Sequence, residues 1–302
     1  MRFKKIIIII IFGFLCTMLP GCKTINENKK EFNIIVPEGM PYIAIGNLIG
    51  EKNITINNVS GSTALKAAFT SNDYDIIIAP FNLGVQLYNG NKSTYKIDSI
   101  IGLNNLYLIS QENIEFNDIK DVLNFEQSIL AFGEGSIPDI VLKKVLELNN
   151  IDKQIEYMNS VNDVMPYFVQ KKYDFVLSSE PVLTIMKHNK NLKFNSLNLQ
   201  NYISTKILQV AVFVKDGVDI NEIDEVLEKI KSNIESMNNN YEQYANNLVL
   251  KNDYFSEMGY DVLVECEKNG NIQYIKAKDF KSEIESFLTL INYKLPDEKF
   301  YR

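Results

Sequence analysis

Two α/β units of similar design, facing each other across a cleft, are the fold that this 302-residue chain predicts. Three observations predict it. A strand, a glycine turn and a proline-opened helix occur twice, as "IIVPEGMPYIAIGNLI" at 34–49 and "ILAFGEGSIPDIVLKKVL" at 129–146. A helix, a Tyr-Asp pair, a buried strand and a proline also occur twice, as "AAFTSNDYDIIIAP" at 67–80 and "PYFVQKKYDFVLSSEP" at 166–181. The two repeats share nearly one offset: Glu38 and Glu134 are 96 residues apart, Tyr74 and Tyr173 are 99 apart. Strands that alternate with helices build parallel sheets, and a common offset marks a duplicated unit.

Hydrophobic period and punctuation place the elements. Strands are expected at 33–36, 53–58, 75–79, 96–102, 105–110, 128–132, 154–158, 174–178, 192–195 and 207–215. Helices are expected at 41–51, 62–71, 82–89, 118–124, 137–149, 161–171, 181–189, 219–237 and 276–292. The short apolar strands "IIIA" and "FVLS" suit sheets covered on both faces. Pro138 suits a first helical turn, where a missing N–H costs nothing, and the glycines before it allow close backbone approach. From Asp219 onward the pattern is mostly helical, with aspartate early and lysine late in its first helix, as the helix dipole favours.

The opening stretch, "MRFKKIIIIIIFGFLCTMLPGCKT", has a basic start and a fourteen-residue run from Ile6 to Leu19. A bilayer span needs about 20 apolar residues, so the run fits a signal-peptide core. Residues 1–21 are therefore expected to be removed. Leu19-Pro20-Gly21-Cys22 resembles the bacterial lipobox, with Pro20 where a small residue is usual. That resemblance implies a lipid on Cys22, a tether over 22–31 and residence on the outer face of the cytoplasmic membrane. Loss of Arg2, Lys4 and Lys5 takes 31 basic residues to 28 against 38 acidic ones, net −10, which disfavours nucleic acid and anionic lipid as partners. With Cys16 in the leader and Cys22 lipidated, Cys266 stands alone, so no disulfide framework forms and a packed core must hold the fold. Cys266 reads as a small buried residue.

In open α/β sheets ligands sit beyond the carboxyl ends of the strands, where helix N-termini converge. The loops concerned are 37–41, 60–63, 80–82, 133–137, 159–161 and 178–181. The cleft candidates are Glu38, Met40, Tyr42, Ser62, Thr63, Phe81 and Asn82 from one unit, and Gly135, Ser136, Ile137 and Glu180 from the other. Ser62, Thr63 and Ser136 precede helices, whose hydroxyls and amides hold anions such as a sulfonate or nitrate. Glu38, Glu180, Tyr42 and Phe81 suit instead a neutral or cationic planar ligand, stacked and hydrogen-bonded. Only Arg2 and Arg302 are arginines, so no arginine clamp for an amino-acid carboxylate is available at the cleft.

The lipobox, "PEGMP", "GSTALKAAFTSNDYDIIIAPFNLGVQLYN", "NNLYLIS", "GEGSIPDIVLKKVLE", "VLSSEPV" and "KLPDEKFYR", taken in order over 33–302, resemble the solute-binding lipoproteins of ABC importers in the nitrate, sulfonate, taurine and thiamine-pyrimidine group. The resemblance implies an α/β, two-lobed clam of the type II periplasmic-binding-protein kind, with two crossing strands and a ligand cleft between lobes. Lobe I would be 32–106 plus 209–302 and lobe II 107–208, with "NNLYLIS" and "LQVAVFV" as the crossings. It also implies a small-molecule solute (a planar heteroaromatic such as a pyrimidine, or a sulfonate- or nitrate-like anion), an ABC permease as partner, a monomer, and no cofactor. A surface lipoprotein with a scaffold or adhesion role would use the same fold. Enzyme activity is not expected: HExxH, GxSxG and GxxxxGK do not occur, no Cys/His cluster suits a metal, and His188 stands alone near a helix end, a surface position favoured by the dipole.

Overall fold

The computed structural model describes residues 30–189 and 191–302. The expected signal peptide, Cys22 and most of the tether lie outside the described residues.

Strand-helix alternation opens the fold: β1 (Phe32–Pro37), α1 (Met40–Ile45), β2 (Ile54–Val59), α2 (Ser62–Ser71), β3 (Ile76–Pro80), α3 (Phe81–Asn89) and β4 (Lys96–Leu103). The chain then runs through β5 (Tyr107–Gln111), β6 (Ile129–Phe132), α4 (Ile137–Leu148), β7 (Ile155–Met158), α5 (Val161–Val169), β8 (Phe175–Ser178), α6 (Val182–Asn189) and β9 (Phe194–Asn198). After β10 (Leu208–Val214) come α7 (Ile220–Asn239), α8 (Tyr241–Leu248), α9 (Asp253–Met258), α10 (Tyr260–Asn269), β11 (Ile272–Lys276) and α11 (Lys281–Leu290).

The strands form a six-stranded sheet, ordered β11-β4-β10-β3-β1-β2, and a five-stranded sheet, ordered β7-β6-β8-β5-β9. Within each, three strands of one βα run pair in parallel, and a strand from outside that run inserts antiparallel beside the third. In the first sheet the inserted strand is β10, with Val212 opposite Ile78; in the second it is β5, with Tyr107 opposite Ser178. The repeats seen in the sequence thus occupy equivalent places, β1 with β6 and β3 with β8. The chain passes between the sheets twice, just before β5 and just before β10. Two lobes with crossing strands follow from this order.

Residue period explains why the first sheet is covered on both sides. Ile34, Val36, Ile76, Ile78 and Val212 belong to one apolar cluster with α7 residues Leu227 and Ile230. Their neighbours Ile35, Ile77, Ala79 and Phe213 join the other, with Phe69 and Phe81. Gly84 of α3 lies flat on Phe213, where a Cβ would come within 2.2 Å of the ring.

Local differences from expectation have local causes. The helix expected over 41–51 stops at Ile45 and continues as a 3₁₀ turn, Gly46–Leu48, because Gly46 packs against Leu248 and Phe255 with no space for a side chain. The expected 118–124 helix is a 3₁₀ turn, Ile119–Asn124, closed by the Asp118 cap. The helix expected from 276 begins only at Lys281, since Ile272–Lys276 pairs with β4 as an edge strand. The helical region after residue 219 is cut into α7–α10 by the caps Asn240, Asn252 and Gly259.

Candidate ligand cleft

All six expected turns contribute to one cleft of about 670 Å³ between the lobes, reached from the carboxyl ends of β1, β2, β3, β6, β7 and β8. Its volume falls within the range of small-molecule sites. Gly39, at φ +90°, makes the first turn possible, and a Cβ there would stand 3.6 Å from Pro181 Cδ on the other lobe.

The turn before α4 has a built-in occupant. Gly135 donates its amide to Asp139 Oδ2 at 2.8 Å, and Ser136 donates its hydroxyl to Gly133 O. Asp139, 1% exposed, also accepts from Tyr157 Oη at 2.7 Å and Lys143 Nζ at 3.0 Å. An anion attracted to a helix N-terminus is thus already present as a side chain. Two other cleft turns behave likewise: Gly39 N donates to Tyr254 Oη at 2.9 Å, and Ser160 N to Asp163 Oδ2 at 3.0 Å.

Of the residues expected at the site, Glu38, Met40, Ser62, Ser136, Ile137 and Glu180 line the cleft. Thr63, Gly135 and Asn82 are not part of its wall. Asn82 is 4% exposed and spans the lobes instead, its Nδ2 lying 3.5 Å from Gly135 O and 3.3 Å from Tyr293 Oη. Tyr42 and Phe81 correct the expected stacking platform. Tyr42 turns inward to stack on Phe255 at 4.9 Å, with Asn252 Nδ2 donating to its hydroxyl at 2.8 Å. Phe81 is fully buried near Phe287. Both are apolar-face positions of their helices, and core packing claims them.

The aromatics that do reach the cleft are Phe132 and Tyr254, one from each lobe. Burial pushes the Tyr254 hydroxyl up to about 12, so it serves as a neutral phenol. Tyr254, Glu257 and Met258 belong to α9, in the C-terminal region that reads from sequence as packing alone; no motif announces them.

At the floor, where the chain crosses between sheets, amide side chains tie the strands together. Asn105 donates its backbone N–H to Gln209 Oε1 at 2.6 Å, and Gln209 Nε2 donates to Asn105 O at 3.1 Å. The Asn105 side chain donates to Glu180 O at 3.2 Å and accepts from Glu180 N at 2.8 Å. Gly102 lets β4 lie close to Val210, within 2.9 Å of where a Cβ would stand.

Glu180 faces the cleft from this floor, 5% exposed. Thr184 N donates to its Oε2 at 3.1 Å, and Asn269 Nδ2 lies 3.4 Å from Oε1. Burial raises its carboxyl above the ordinary range, against the pull of those donors and of Lys187 farther off. Together with burial, Glu180 in turn raises Tyr107. The wall also carries Glu38, Glu134 and Glu257, and no lysine, arginine or histidine among the described residues.

The fold so built is that of the periplasmic binding proteins, and solved structures share it. An ABC transporter from Parabacteroides distasonis superposes with a TM-score of 0.74 at 18% identity, covering 90% of this chain and 99% of that one. The periplasmic aliphatic sulphonate binding protein of Escherichia coli gives 0.66 at 12% identity, covering 87% of each chain. A Candida albicans gene product described as having the generic periplasmic binding protein fold gives 0.60 at 12%, covering 89% and 93%. No family model matches the sequence, and no curated protein does.

Proposed function

We propose that the chain is an extracytoplasmic solute-binding lipoprotein that delivers a small molecule to an ABC permease. On this reading residues 1–21 are a signal peptide, and Cys22 carries lipid on the outer face of the cytoplasmic membrane. Residues up to 31 tether a monomer with lobes 32–106 plus 209–302 and 107–208. The observation that carries the reading is the cleft of about 670 Å³ at the converging strand ends of both lobes, crossed by a polar floor. The chain captures and does not transform: the lobes close because solute binds the closed state more tightly. Among the described residues no helix is long and apolar enough to cross a membrane.

Between the two solute classes, a planar heteroaromatic such as a pyrimidine is favoured over a sulfonate- or nitrate-like anion. Asp139, Asp163 and Tyr254 already use an amide in each of three of the six cleft turns, which leaves fewer free donors for an anion, and the E. coli neighbour's sulphonate is therefore not a guide to this cleft. The test is thermal unfolding of the intact, detergent-solubilised protein with heteroaromatics, sulfonates, nitrate and amino acids. A ligand at about 100 times its Kd adds roughly 2.7 kcal/mol, enough to raise Tm by several degrees. A folded protein whose Tm no solute class moves is a scaffold or adhesion lipoprotein instead.

A further inference from the structure

The cleft's walls carry one sign of charge. Glu180 closes the floor, while the exposed Glu38, Glu134 and Glu257 ring the wall, and no basic side chain among the described residues reaches it. Glu180 is the decisive group. A carboxylate this buried normally meets a cation, and breaking such a pair costs several kcal/mol because a lone buried charge is left behind. Here its bonded donors are neutral, a backbone N–H and an asparagine amide, and Lys187 acts on it only from farther off, outside the cleft wall that Glu180 lines. Half-buried Phe132 and Tyr254 line the same cavity, one from each lobe. Carboxylate and aromatic faces together are the chemistry that recognises ammonium groups and protonated ring nitrogens. A metal ion is the poorer fit, since no cluster of three or more ligating acids, histidines or cysteines occurs among the described residues.

We infer that the solute is an organic cation, an amine or a protonated heteroaromatic base, whose positive group docks on Glu180 at the cleft floor between Phe132 and Tyr254. The inference rests on the solute-receptor reading. It assigns the ligand's missing counter-charge to the cleft and the long-range attraction to the three exposed glutamates. Because Glu180 is held by Asn105 of the crossing and touched by Asn269 of the other lobe, a cation placed there neutralises the junction about which the lobes would move.

The experiment compares isosteres on the intact detergent-solubilised protein: benzylammonium, choline and 4-aminopyridinium against benzyl alcohol and benzenesulfonate, read by thermal shift and calorimetric titration. The cations are expected to raise Tm and the neutral and anionic isosteres to leave it unmoved. E180Q should weaken cation binding at least 30-fold, as loss of one partner in a buried charged pair does elsewhere. E257Q, on the exposed wall, should weaken it no more than about threefold, with the loss vanishing at high salt. Benzyl alcohol or benzenesulfonate binding as tightly as benzylammonium overturns the cation while the receptor stands. Silence to the cations alone, with another class active, does the same. Silence to every class, with the protein folded, removes the receptor reading as well. Should E180Q fail to fold, the isostere comparison on the unaltered chain still decides.

Discussion

Glu267 sits on α10 at 2% exposure, and neither carboxyl oxygen has a hydrogen-bond partner. Burial drives its carboxyl up to about 9. Between the ordinary glutamate value and that figure the folded chain holds one proton more than the unfolded chain, so the stability from this site is complete in acid and is lost as pH rises. The slope is about −1.4 kcal/mol per pH unit across that window. E267Q should remove it, and urea unfolding between pH 5 and 9 checks this: parallel curves for the two proteins would refute it. Asp98 is the contrasting case, a 1%-exposed carboxylate satisfied by Lys276 Nζ and Arg302 Nη1 at 2.9 Å each and by Tyr274 Oη at 2.5 Å. D98A strands those partners and should cost about 3 kcal/mol in chemical denaturation. At this scale the sequence was partly transparent. Cys266 reads as a buried small residue and is fully buried. Tyr42 and Phe81 misled because a residue just inside a helix start can face the cleft or the core, and the choice depends on partners, Phe255 and Phe287, more than 170 positions away.

The elements themselves are well written in the chain. Period, caps and proline positions give β1 through β10 and most helices, because these are local signals. What escaped is nonlocal. Strand β11 exists because β4 offers an edge, and α9 reaches the cleft only through tertiary packing. Close packing between elements gives the test at this level. G84A puts a methyl group within 2.2 Å of the Phe213 ring, so the ring or the helix must shift. A loss of about 1–3 kcal/mol is expected, with the fold retained by circular dichroism. An unchanged midpoint would mean that the helix and strand are not in contact as described.

For the whole molecule, the polar knot at the crossings and the contacts that bridge the lobes decide how freely it opens. N105A removes both side-chain bonds to the Glu180 backbone, roughly 2 kcal/mol of net hydrogen bonding. It should enlarge the radius of gyration of the ligand-free protein by X-ray scattering; no change would remove Asn105 from the hinge. His188 Nε2 on α6 lies 2.6 Å from Glu265 Oε2 on α10, a hydrogen-bonded contact between lobes. Both groups are about one-third exposed, so H188A should alter global stability by less than about 1 kcal/mol. The two-lobed plan was legible because duplication repeats its punctuation, and Glu38 and Glu180 were legible at the cleft, whereas Glu257 joins them only through tertiary packing. One feature of the plan also governs biogenesis. The five-stranded sheet uses a single unbroken stretch, from β5 to β9, and can complete itself as soon as that stretch is available. The six-stranded sheet keeps a vacant slot between β3 and β4 until residue 214 has emerged, with two long apolar strand edges open to any other chain. A ribosome that stalls in that interval leaves an aggregation-prone intermediate, so quality control during synthesis has its narrowest margin over the hundred-odd residues that separate β4 from β10.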